Sequence, residues 1–281
     1  MSIPAHIRLR LQLEWLREAP NLACASDLAP PEGLFKLDSK PHAEVCLTAR
    51  RLGLQFEELI RVCLQNNPQV TDLEANIPVR SEKVTLGEAD LLLQFKQQWW
   101  HLELALKFYL RQPNIDGLAG YFGPNRRDRF DLKWQHMTNH QCNILSHASA
   151  KPILEQRNID WLNRAILIKG WLFQHPDDPR TDEPFPINKH HQRGWWVHQS
   201  EVDHWLKEQP ANARYLIVEK PYWLYPLQAI AKPSIDCQQL KRYLAKRVFP
   251  TQVWVVLGQG VSRQLISRGY VVSDRWESSD G

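Results

Sequence analysis

The chain has 281 residues, 43% of them hydrophobic and 23% charged, with a net charge of +4 and a pI near 8.8. That is enough apolar material for a buried core in one large domain or two small ones, and too little excess charge to demand an anionic partner. The 12 glycines form no phosphate-cradling loop, which disfavours P-loop and dinucleotide-binding enzymes, and no apolar run approaches the ~20 residues of a membrane span.

The five cysteines, Cys24, Cys46, Cys63, Cys142 and Cys237, are scattered and form no C-x-x-C pair, so reduced thiols are expected. The first residues carry charge where a signal peptide needs an apolar stretch. A cytoplasmic protein follows as the expectation.

In chain order, residues 8–18 predict a short helix, followed by a Pro-rich loop. A longer helix is predicted over about 42–65, with Val45, Leu52, Phe56, Leu59, Ile60 and Val62 at helical spacing and Asn66-Asn67-Pro68 as its stop. A strand near 77–80 leads into a strand pair, residues 87–93 and 99–110. Pro124 marks the start of a helix expected to reach about residue 146. Residues 164–173 read as a buried strand and 174–192 as a loop. Strands at 194–197, 215–218 and 252–257 follow, with a helix at 238–247 and a capping-box pattern at 200–203. One α/β domain is expected, with a core at about 42–173 and a strand-helix extension at about 194–273.

The strand pair carries the chemistry. Trp100, Leu102, Leu104, Leu106, Phe108 and Leu110 alternate with Trp99, His101, Glu103, Ala105, Lys107 and Tyr109, so one face is apolar and the other presents His, Glu and Lys. If Asp90 opposes Glu103, then Phe95 opposes Gln98 and Lys96-Gln97 is the turn. Opposed residues share a face at ~5 Å between Cβ atoms, and two carboxylates that close repel unless a cation or basic group intervenes. Mg²⁺ or Mn²⁺ suits such oxygen ligands. In that register Glu88 opposes Ala105 and Leu86 opposes Lys107, which lies about 13 Å along the strand from Glu103. A structural ion pair is the competing reading.

These residues resemble the core of the PD-(D/E)XK nuclease superfamily. More closely, residues 87–90, 101–110 and 118–133 are similar to DUF1853, an uncharacterised bacterial family of domains of unknown function placed with those nucleases. The resemblance implies a three-layer, restriction-endonuclease-like α/β core around a mixed sheet flanked by helices. It implies Asp90 and Glu103 as metal ligands, Lys107 orienting water or stabilising charge, and a helix glutamate, for which Glu57 in Gly53-x-x-x-Glu57 is the match and Glu58 the rival. The superfamily's acid two residues before the lysine is Ala105 here. Either Glu103 has taken that role, or Glu88 supplies it, or the site no longer cuts.

Arg126, Arg129 and Lys133, interleaved with Asp128 and Asp131, suit either phosphate contacts at a helix start or a salt-bridged surface helix. His136 and His140, with Cys142 and His147 nearby, have zinc-compatible spacing but no H-E-x-x-H glutamate, so exposed histidines are the preferred reading. Trp195-Trp196 and 222–225 suit core packing better than base stacking. The function expected is a divalent-metal-dependent nuclease-like protein acting on nucleic acid. The alternatives are an inactive nucleic-acid-binding module on the same scaffold, or an interaction protein whose acids are structural.

Overall fold

Alternating apolar residues across 84–111 fold into two long strands, β2 (Val84–Phe95) and β3 (Gln98–Arg111) in the labels used below. The computed structural model describes residues 3–23, 25–36, 47–180 and 182–278. Phe95 pairs with Gln98 as the sequence register requires, and the turn residues Lys96 and Gln97 both take left-handed φ values of 49° and 63°. A two-residue turn of that hand matches the twist of the strands it joins, even without Gly or Asn.

Around the hairpin a nine-stranded mixed sheet forms. The remaining strands are β1 (Val70–Ser81), β4 (Tyr121–Phe122), β5 (Asn163–Gln174), β6 (Gln192–His198), β7 (Arg214–Ile217), β8 (Thr251–Leu257) and β9 (Gln264–Val272). The order is β1-β2-β3-β5-β6-β9-β8-β7, with β4 attached to the end of β3. The central pairs from β3 to β9 are parallel and both flanks are antiparallel. Strands from both halves of the chain thus share one sheet.

Helices cover both faces. α1 (Ala5–Glu18) and α2 (Leu52–Gln65) bury Leu13, Leu16, Phe56 and Leu59 against Leu102, Leu104, Leu167 and Phe173. On the other face α3 (Phe130–Asn139) and the 3₁₀ segment Gln141–Ser146 set Phe130, Met137 and Cys142 over Ala105, Tyr109, Ile166 and Ile168. Three short helices, α4 (Lys151–Glu155), α5 (Val202–Lys207) and α6 (Cys237–Leu244), complete the α-helices among the described residues. Among the described residues no helix is long and apolar enough to cross a membrane.

Several elements differ from the sequence reading. The helix expected from residue 42 begins at Leu52, because Glu58 accepts hydrogen bonds from the Thr48 and Ala49 N–H groups and holds residues 48–49 in a non-helical approach; residues 42–46, like Cys24, lie outside the described residues. The helix expected from Pro124 begins at Phe130. Residues 123–128 are instead a turn in which the Gly123 N–H donates to the Asp128 carbonyl, and the helix ends at Asn139 before the 3₁₀ segment. The capping box near residue 200 is made by His198 with Glu201, not by Ser200 with Asp203. β9 has no clean alternation and was not expected.

Two contacts position the region of interest. Gly170 on β5 pairs with Lys107 on β3 at φ 137°, and a Cβ there would lie 1.7 Å from the Lys107 carbonyl oxygen. Gly170→Ala is therefore expected to cost about 3 kcal/mol or more by forcing the two central strands apart, read as a loss of soluble yield or a lowered urea midpoint. A stability within 0.5 kcal/mol of wild type would refute the close approach. Trp276, near the end of the described chain, donates to the Pro124 carbonyl at 2.7 Å and packs against Phe122 and Trp196, latching the 123–128 turn to the sheet.

Candidate active site

Asp90 and Glu103 meet where β2 parts from β3. The ladder between these strands runs from Phe95–Gln98 to Leu91–Leu102 and stops, so Asp90 and Glu103 face each other on the first unpaired rung. Side chains replace the missing ladder: the Leu104 N–H donates to Asp90 Oδ2 at 2.7 Å, and the Asp90 N–H approaches Glu103 Oε1 at 3.4 Å.

The parting has a cause on the other side of β2. Asn76 of β1 sits between the paired rungs Ala75–Leu91 and Ile77–Ala89, and its φ is 56°. Leu91 and Leu93 pack in the cluster under α2, whereas Ala89 packs with Ile77 and Ile144 under the opposite layer. Strict alternation puts residues 89, 91 and 93 on one face. The strand therefore reverses its faces at Asp90, and the acid stands at the point of reversal. The register expected beyond it, Glu88 opposite Ala105 and Leu86 opposite Lys107, does not form, because β2 residues before Asp90 pair only with β1 among the described residues.

Glu103 is fully buried on the α3 side. Its Oε1 lies 2.7 Å from His101 Nε2, and its Oε2 accepts from Gln141 Nε2 at 2.8 Å. His101 thus serves the site as a hydrogen-bond partner of Glu103. Asp90 is partly exposed. Its carboxyl is pushed up from an ordinary 3.8 to about 7, first by burial, then by the neighbouring Glu103 charge, with Glu57 adding to the repulsion. Glu57, half-buried on α2, is raised by burial and by Glu88, with Arg61 opposing. Glu58, the rival candidate, is held by Thr48 and Ala49 and plays no part. Glu57 thus lies within electrostatic reach of Asp90, and exposed Glu88 within reach of Glu57.

The cations are arranged differently from the sequence expectation. Lys107 does not lean back to the acids. Its ammonium lies 2.5 Å from Asp128 Oδ2, and Asp128 Oδ1 accepts from the Tyr109 hydroxyl at 3.2 Å. Lys133 fills the place instead. It projects from the first turns of α3, is largely buried, and donates to Gln141 Oε1 at 2.8 Å, two hydrogen bonds from Glu103. Burial and the nearby Lys107 lower its pKa, while Asp90, Glu103 and Asp128 work against that. The sequence offered Lys133 as a phosphate contact and not as a neighbour of the acids, since that place depends on the fold bringing α3 over the fork.

The other two phosphate-contact candidates are engaged internally. Arg129 makes a two-pronged pair with Asp131 at 2.6 and 2.9 Å. Arg126 donates to Gln112 at 3.0 Å and lies over the Phe122 and Trp276 rings. Arg129 is the N-cap residue of α3 and so does stand at a helix start, whereas Arg126 lies in the turn before it.

Carboxylate oxygens are the donors a hard divalent cation takes, and mutual repulsion among these acids is the imbalance such a cation relieves. The donor chemistry fits. Only a partial ligand set is assembled, however: among the described residues, the one group of three ligand-type side chains with all ligand atoms within 4.8 Å is elsewhere, His175, His198 and Glu201. There the Asp177 N–H donates to His175 Nδ1 at 3.2 Å, so the ring's proton sits on Nε2 and points at Glu201, 3.0 Å away. That is the tautomer of a hydrogen-bonded pair and not of a metal ligand. His136 and His140 stack with ring centroids 5.1 Å apart, without a third ligand among the described residues.

A cleft of about 680 Å³ opens farther along β3, at Leu106, Lys107 and Phe108, and neither Asp90 nor Glu103 lines it. Lys107 and Asp128 form part of its wall, the first residues of α2 another, and the C-terminal strands the rest. Trp195 and Trp196 pack inward, on Trp205 and on Trp276 respectively, which bears out core packing for that pair.

A family model described as Domain of unknown function (DUF1853) matches residues 10–269. No curated protein and no solved structure matches the chain.

Proposed function

The chain belongs to the DUF1853 family, a domain of unknown function, and we propose that it is a divalent-metal-dependent, nuclease-like hydrolase of nucleic acid phosphodiesters. One observation carries the reading: Asp90, facing Glu103 across the open rung, has its carboxyl pushed up to about 7 by burial and by other acids. Protein sites seldom concentrate unneutralised carboxylates without a use for the charge. The resemblance of residues 87–90 and 101–110 to the PD-(D/E)XK core supports the same chemistry.

Asp90 and Glu103 would hold Mg²⁺ or Mn²⁺, with Glu57 and Glu88 as further carboxylates. The bound metal would supply an activated water and stabilise the leaving oxygen. Lys133 would offset negative charge developing on the phosphate; the Gln141 amide ties its ammonium to Glu103. Lys107, neutralised by Asp128, serves the cleft wall. Ala105 at the superfamily's usual acid position, together with that pairing of Lys107, favours a second reading, a binding module without turnover.

The test is cleavage of mixed single- and double-stranded DNA and RNA with Mg²⁺ or Mn²⁺. Wild type is expected to cut, Asp90→Asn to lose at least a hundredfold, and Lys133→Met to lose more than Lys107→Met, on the scale of removing one charge-stabilising group. Equal cutting by wild type and Asp90→Asn would end the nuclease reading. Salt-dependent binding with no cutting under either metal would establish the binding module instead.

A further inference from the structure

The cleft at Lys107 has a composition that the acid site does not explain. Its mouth carries Phe249, 77% exposed. Its neighbour Val248 is 76% exposed, so the two form an apolar patch at the edge of the cavity. Deeper in the wall lie Tyr243 and Trp223. Arg247 rests over the Tyr243 ring at 4.5 Å, and Lys220 lies 5.9 Å from the Trp223 ring.

The charge of the lining is one-sided. Asp128 is taken up by Lys107, and Glu219 by Lys232 at 2.7 Å, which lies outside the cleft. Arg127, Lys220 and Arg247 then leave a positive surface among aromatic rings. The N-terminal residues of α2, Leu52 and Gly53, add a helix end without a side-chain cap.

Cations interleaved with ring faces suit a strand whose bases are unpaired, because a duplex hides its base faces and offers only groove edges and phosphates. A cavity of about 680 Å³ is also of the size that holds a small ligand or short chain segment, not a double helix. We propose that this cleft binds single-stranded nucleic acid. One or more bases would stack on Phe249 and on the Arg247–Tyr243 pair, with phosphates held by Arg127 and Lys220. The strand would pass the Lys107–Asp128 wall on its way to Asp90. As a statement about the substrate it rests on the nuclease reading; as a binding site it stands without it.

The experiment is fluorescence anisotropy of the full chain with a labelled single-stranded oligonucleotide and with the duplex of the same sequence, without divalent metal and at fixed salt, with polyglutamate as competitor. The single strand is expected to bind at least tenfold more tightly than the duplex. Phe249→Ala should weaken the single strand between fivefold and a hundredfold and leave the duplex unchanged, on the scale of one lost base stack. Arg127→Ala and Lys220→Ala should flatten the salt dependence. Phe249 is exposed, so its variant should fold; matching melting curves for wild type and Phe249→Ala check this.

Equal affinity for single strand and duplex, no effect of Phe249→Ala, or displacement by polyglutamate as effective as by oligonucleotide would overturn the proposal. Asp90-dependent cutting of duplex with no effect of Phe249→Ala would sink this proposal and spare the nuclease reading. Phe249-dependent binding of the single strand with no cutting under any metal would do the reverse.

Discussion

Replacing Asp90 by Asn is expected to raise the melting temperature at pH 8 and to leave it almost unchanged at pH 4. The folded carboxyl binds its proton up to about pH 7, whereas the unfolded one releases it near 3.8. Between those values the native state holds the extra proton, so stability falls as pH rises through the window and stays low above it. Asn carries no charge and can still accept the Leu104 N–H. Discounted for the partial exposure of Asp90, the gain is about 1–2 kcal/mol, or a few degrees for a chain of this size.

The same variant separates the metal from other causes. Mg²⁺ at ten times its dissociation constant would stabilise wild type at pH 8 by about 1.4 kcal/mol and should leave Asp90→Asn unmoved. Differential scanning fluorimetry at pH 4, 6 and 8, with and without Mg²⁺, measures both effects. A melting temperature of Asp90→Asn that tracks wild type at every pH removes the argument from repulsion. A Mg²⁺ shift of equal size in both proteins places the cation elsewhere.

Glu103→Ala is expected to cost about 3–5 kcal/mol in urea unfolding. The carboxylate is fully buried and receives His101, Gln141 and the Asp90 N–H. Truncation leaves those donors without an acceptor and opens a void beneath α3. Glu103→Gln keeps one acceptor oxygen and the volume, so it should retain most of the stability while removing the charge a metal needs. If Glu103→Ala unfolds within 1 kcal/mol of wild type, the buried network does not hold the fork. The pair of variants also tells an ion-pair scaffold from a site: a purely structural acid changes stability alone, a ligand changes cutting and metal response in the Gln variant too.

Much of the hairpin was legible because its information is local. Period-two alternation over residues 99–110 gave the faces of β3, and the register supposed for the hairpin, Asp90 opposite Glu103 with Lys96-Gln97 as the turn, is the one that forms. What the sequence could not show is that the ladder stops at that rung. The stop depends on a left-handed Asn76 in a neighbouring strand, and an Asn in an otherwise strand-like run carries no unique mark. Lys133 was among the phosphate-contact candidates, but its place beside the acids escaped for a different reason. Its burial comes from the packing of α3 across the fork, a contact between segments far apart in the chain, while its neighbours Asp131, Leu132 and Gln135 read as an ordinary solvated helix. Phe249 escaped because a single Phe before Pro250 resembles a strand entry, and its exposure is visible only in three dimensions.

The latch made by Trp276 gives the molecule a built-in gauge. Its indole grips the backbone of the turn bearing Arg127 and Asp128, so occupancy of the neighbouring groove that shifts this turn would change the emission of a fluorophore already installed. Trimming the chain upstream of that tryptophan would slacken one bank of the groove, whereas a tag appended after it would leave the grip in place. Expression designs for this protein should be cut with that one side chain in mind.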